Sequence, residues 1–116
     1  MKSQHYKTMG DDYRAVNSAI DSYIGVYHKV ANIKATNMLL DNGIPPNHGE
    51  EDMLLEDVRI ETNAAHNELD SLREKVSDIK HDGLRQTGKQ LAEDAEKFMM
   101  DYFTSIKSRN ADAMRG

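Results

Sequence analysis

Cysteine and tryptophan are both absent from this chain. Without cysteine there are no disulfides, no thiolate metal sites and no cysteine nucleophile, and cysteine usage gives no sign of compartment. Proline occurs only twice, side by side at Pro45 and Pro46. Proline therefore interrupts regular structure at one place, and long unbroken helices are possible on either side of it. No apolar run approaches the roughly 20 residues of a membrane-spanning helix. The opening residues, MKSQHYKTMGDDY, contain no apolar segment of the secretory type. A cytoplasmic location is expected on these grounds. Aromatic residues are few, five Tyr and two Phe.

Chemical motifs are equally scarce. There is no Gly-x-Ser-x-Gly elbow and no Glu-x-x-His pair of the kind that builds carboxylate-bridged metal sites in bundles. His48 could share a helix face with Glu51 or Asp52, which makes at most a weak pair. The stretch GLRQTGKQ, Gly83 to Gln90, has the glycine and lysine spacing of a phosphate loop. It lacks the Ser or Thr that would hold magnesium, and no strand precedes it, so it reads as a chance match. No catalytic residue, cofactor or metal site is expected, and the chain is not read as an enzyme.

What remains is patterned charge and apolar periodicity. Of the 116 residues, 38% are hydrophobic and 30% charged; mean hydropathy is −0.76. That balance suits long amphipathic helices, which bury one stripe and leave the rest wet. The net charge of −5 is unevenly spread. Residues 47–80 hold ten acidic and four basic side chains, whereas the segments on either side are close to neutral. Arg85, Lys89, Lys97, Lys107, Arg109 and Arg115 give the last third some basic density, but Glu93, Asp94, Glu96 and Asp101 interrupt it. Nucleic acid is therefore not the expected partner.

The first helix is expected over 12–41, with Asp11 or Asp12 as N-cap. Its stripe is Tyr13, Val16, Ile20, Tyr23, Tyr27 and Val30, at 3-4 spacing. Two rows flank that stripe: Ala19, Val26 and Ile33 on one side, Ile24, Ala31 and Met38 on the other. Gly25 within the helix suggests a close crossing. The stretch DNGIPPNHGEED, residues 41–52, then reads as punctuation. Asn42-Gly43 can end a helix in the left-handed conformation, and the two prolines bar continuation. Asn47 can cap the next helix, with Glu50 three residues on and an acidic first turn.

The second helix, expected over 48–80, keeps a heptad through Leu55, Val58, Thr62, Ala65, Leu69, Leu72, Val76 and Ile79. Leu55, Val58, Leu69, Leu72, Val76 and Ile79 are the candidate seam for self-association. At His81-Asp82-Gly83 the phase slips. A turn capped by Asp82 is expected there, with a single kinked helix as the alternative. The third stripe is Leu84, Gly88, Leu91, Ala95, Phe98, Tyr102 and Ile106, in a helix over 84–107. Met99, Met100 and Phe103 widen it and suggest an oligomer or partner groove.

The expected fold is all-α: an elongated three-helix bundle with coiled-coil-like packing that self-associates as a homodimer. Residues 1–10 are expected to be flexible, 11–107 to form one helical domain, and 108–116 to be disordered. The leading functional expectation is a non-enzymatic protein-interaction module, an adaptor, chaperone or inhibitor. Glu50, Glu51, Asp52, Glu56, Asp57, Glu61, Asp70 and Asp78 would steer it to a basic protein partner. The rival expectation is a structural coiled-coil protein whose partner is itself.

Overall fold

The computed structural model describes residues 2–44 and 47–106, with side chains from residue 10 onward. Three helices make up the fold: α1 (Lys2–Asp41), α2 (His48–Ser77) and α3 (Asp82–Ser105), with no strand among the described residues. The molecule measures 66 × 22 × 18 Å, and its radius of gyration is 18.1 Å. A compact chain of this size would have a radius of gyration of about 13 Å. The bundle is therefore elongated, as its helix lengths require: the 40 residues of α1 span about 60 Å at the α-helical rise.

The first connection forms as the sequence suggests. Gly43 takes a φ of 72°, open to glycine without strain. The Gly43 N–H donates to the Leu40 carbonyl and the Ile44 N–H to the Leu39 carbonyl, the paired bonds of a Schellman ending. The Asn47 side chain accepts from the Glu50 N–H at 2.8 Å and caps α2. Pro45 and Pro46 lie outside the described residues, as does the expected tail 108–116.

The second connection is a turn, so the kinked single helix is excluded. α2 stops at Ser77, three residues short of the expected 80. His81 caps α3 in place of Asp82, its Nδ1 accepting from the Leu84 N–H at 3.2 Å. The chain folds back at this turn. α2 then runs antiparallel to α1, and α3 runs parallel to α1, as the partners of successive residues show: Asp12 meets residues 80 and 81, Ser22 meets Lys75, and Tyr23 and Asn37 meet Asp94 and Tyr102.

α1 departs from expectation in two ways. It begins at Lys2 rather than near residue 12. Asp12 is not a cap: it is buried, and its two carboxylate oxygens accept the N–H groups of Lys80 and His81 at 2.9 and 3.0 Å. The buried stripe is also rotated from the expected one. Ala19, Val26, Val30, Ile33 and Leu40 are enclosed, together with Asp12, Ser22 and Asn37, whereas Tyr13 and Ile24 are 68% and 57% exposed. A count of apolar residues misplaces this stripe because three of its members are polar. Each of the three is hydrogen-bonded to a distant segment, Asp12 to the second connection, Ser22 to α2 and Asn37 through its Nδ2 to α3, which offsets the cost of burying it.

In α2 the heptad is buried as one face. Val58, Leu69, Leu72, Val76 and Ile79 are enclosed and Leu55 is half-buried. Thr62 and Ala65, the weakest layer by size, are buried too, with the Thr62 hydroxyl bonded to the Val58 carbonyl. Gly25 meets α2 at this narrow part: a Cβ there would stand 2.9 Å from Cδ of Glu68. In α3 the buried residues are Gly88, Ala92, Ala95 and Met99, while Leu84 and Phe98 stay partly exposed. Met99 and Phe103 face the core within the chain, not a groove for a partner; Met100 remains exposed.

Candidate functional site

The acidic residues of α2 lie where a partner could meet them, but not as one patch. Glu50, Asp52, Glu56, Asp57, Asp70 and Asp78 are exposed, and Glu51 and Glu61 are half-buried. Helical spacing divides them. Glu50, Asp57 and Glu61 share one flank of the buried stripe with Met53 and Ile60. Asp52, Glu56 and Asp70 share the other flank, beside Arg59 and Arg73. Asp78 stands past the end of the helix, where its backbone N–H caps the Glu74 carbonyl.

The two flanks differ electrostatically. On the second, Arg59 pairs with Glu56, and hydrogen bonding to the guanidinium holds the Glu56 carboxyl below the usual carboxylate range. Arg73 lies 3.5 Å from Asp70 and 2.5 Å from Glu96 of α3. On the first flank the cation is Lys75, about five turns from Asp57 along the helix and bonded to Ser22. Glu50 and Asp57 make no ion pair with any described residue, and Met53 and Ile60 stand 69% and 51% exposed beside them. Glu50, Met53, Leu54 and Asp57 line a shallow recess there.

The candidate self-association seam has a different fate. Leu55 is half-buried against the core; Val58, Leu69, Leu72 and Val76 belong to that core, shared by the three helices of one chain, and Ile79 is buried just past the end of α2. The buried residues present no surface to a second copy. The heptad rule detects a buried stripe, but it does not say whether the covering helix belongs to the same chain.

Two polar clusters were not foreseen. The first joins α1 to α3: the Tyr23 and Tyr27 hydroxyls donate to the same Asp94 oxygen at 2.6 and 2.5 Å, and Tyr27 stacks on Phe98 with ring centroids 4.2 Å apart. The hydrogen bonds from Tyr23 and then Tyr27 hold the Asp94 carboxyl below its ordinary value. Tyr27 is pushed up, first by burial and then by its bond to Asp94; Tyr23 is raised mainly by that bond. A general acid or base works best near the operating pH. These shifts move all three groups away from neutrality, so the cluster acts as a clamp. The 4-residue spacing of Tyr23 and Tyr27 was visible in the sequence, but their common acceptor lies 67 residues beyond Tyr27.

The second cluster joins α1 to α2. The Lys75 ammonium donates to Ser22 Oγ at 2.7 Å and to the Ser18 carbonyl at 3.4 Å. A serine beside a lysine can form a nucleophile and its base. Here Ser22 is 1% exposed, so no substrate atom can reach its oxygen. The pair is a bolt between helices.

Gly83 to Gln90 lies inside α3, where the Leu84 N–H donates to His81 Nδ1 and the Arg85 N–H to the His81 carbonyl, so the stretch is the start of a helix and not a strand-to-helix phosphate loop. His48 lies 3.7 Å from Glu51, and among the described residues no group of three or more His, Asp or Glu side chains could hold a metal ion. No helix among them is long and apolar enough to cross a membrane. No protein family, curated protein or solved structure matches the chain.

Proposed function

We propose that this chain is a non-enzymatic interaction module that docks a basic, amphipathic segment of another protein on the first flank of α2. One observation carries the reading: the carboxylates Glu50 and Asp57, which pair with no described residue, flank the exposed side chains of Met53 and Ile60. Solvated helix faces commonly carry charge, but an apolar pair seven residues apart amid unneutralised acids is what a helix with apolar anchors and Lys or Arg flanks would complement. The acids would speed encounter and select a basic partner; the apolar contacts would hold it. The adaptor, chaperone and inhibitor roles all fit this chemistry.

The test compares the native chain with a variant carrying Glu50→Gln, Met53→Ser, Asp57→Asn and Ile60→Ser, both immobilised and both shown helical by circular dichroism. Support would be one stoichiometric basic protein retained by the native chain in low salt, released between about 50 and about 500 mM NaCl as screening rises, and lost from the variant. Equal retention by both surfaces would sink the proposal.

A further inference from the structure

The outward face of α1 differs from every other long surface of the molecule, and its features are independent of the α2 reading. Tyr13, Ile20, Ile24, Met38 and Leu39 are exposed along it, with Ala31 and Ala35 exposed between them. From Asn17 to Leu39 its ionisable groups are Asp21 and His28, with Lys34 on the edge that meets the end of α3. A solvated helix of this length ordinarily carries far more charge, as α2 does.

We infer that a second copy of this chain covers this face, with the two α1 helices antiparallel about a two-fold axis at Ile24. The first argument is charge. The chain carries a net −5, and copies meeting through α2 would bring like charges together, which is repulsive. The outward face of α1 is nearly neutral and lies on the opposite side of the helix from the residues that pack on α2. Pairing there leaves both acidic faces pointing away from each other.

The second argument is self-complementarity. An isologous contact requires that residue i meet j and j meet i. With the axis at Ile24, Tyr13 falls opposite Ala35 and Met38 opposite Gly10, each large side chain facing a small one. A Cβ on Gly10 would meet nothing within 4 Å in the single chain, so there is room at that position. Ile24 meets its own counterpart at the centre. Asp21 and His28 are seven residues apart on one flank, so the same axis sets each Asp21 beside the His28 of the other copy, twice. Shifting the axis by one helical turn exchanges these size matches for Ile20 opposite Ala35 and Ile24 opposite Ala31 but loses the Asp21–His28 contacts, so that pair selects the register. Large-against-small alternation and flanking opposite charges are what hold antiparallel helices in register.

The mass of the full chain in solution, followed by sedimentation from low to high micromolar concentration, tests the association. A rise toward twice 13.1 kDa is expected, and a monomer throughout overturns the inference. Ile24→Asp should weaken the dimer at least tenfold while leaving helicity unchanged, because Ile24 is exposed in the single chain; an unchanged dimer overturns it. Orientation is read with single cysteines, which this cysteine-free chain allows. Ile24→Cys should cross-link to its own copy under mild oxidation, and Asn67→Cys on α2 should not. The reverse pattern would place the interface on α2 and overturn the proposal.

Discussion

Asp12 accepts the backbone N–H of His81 at 3.0 Å across 69 residues of sequence, and its other oxygen accepts that of Lys80. One buried carboxylate of α1 thereby ties down the turn that reverses the chain into α3. Asp12→Ala should lower unfolding free energy by about 1–3 kcal/mol, the range for leaving buried polar groups unsatisfied. Asp11→Ala removes an exposed pairing with Arg14 and should change it by less than about 1 kcal/mol. Urea denaturation of both variants checks the difference.

Gly25 and Gly88 both face another helix closely, yet alanine should be tolerated at one and not at the other. At Gly88 a Cβ would stand 3.0 and 3.1 Å from the two methyls of Val76. Val76 is buried, short and stiff at χ1, so it cannot swing aside. Overpacking of this kind costs about 1–3 kcal/mol. At Gly25 the obstacle is the far end of the Glu68 side chain, which can rotate away, and alanine recovers about 1 kcal/mol of helix propensity. Gly88→Ala should lower the thermal midpoint and Gly25→Ala should leave it unchanged or raise it. Equal losses at the two sites would contradict this account.

The clamp of Tyr23 and Tyr27 on Asp94 defines a pH window. The folded Asp94 titrates below its ordinary 3.8, so its contribution to stability is present above that pH and fades as pH falls through the lower, folded value. The two phenols titrate above their ordinary 10.0. Their contribution is present below pH 10 and fades as pH rises through the raised values. Tyr27→Phe should move the Asp94 carboxyl upward toward 3.8, read from its carbon shift by NMR. Asp94→Asn should let the Tyr23 phenolate appear at lower pH, read by ultraviolet absorbance.

Leu72 is fully enclosed, whereas Ile60 on the same helix is half exposed. Leu72→Ala should cost about 2–5 kcal/mol through lost burial and the cavity left behind. Ile60→Ala should cost well under half of that. Thermal unfolding followed by circular dichroism distinguishes them.

Much of this architecture could be read from residue order. The Asn42-Gly43 ending, the Asn47 cap and the heptad of α2 each rest on local chemistry within a turn or two of helix, where side chains meet neighbours only a few positions away. The phase slip after Ile79 likewise marked the second connection, although the capping atom proved to be a His81 nitrogen. The rotation of α1 could not be read this way. Its buried stripe includes Asp12, Ser22 and Asn37, and an inward-facing polar residue shows itself only through its partner.

The sequence by itself determined three helices, the two places where they break and an acid-rich second helix, because periodicity and capping act over short distances. Only the tertiary structure decided which face of α1 points inward, that the α2 seam is satisfied within one chain, and which acids are left without a counter-charge. Those outcomes depend on contacts between residues tens of positions apart, and no local pattern encodes which distant group will satisfy a buried donor or acceptor.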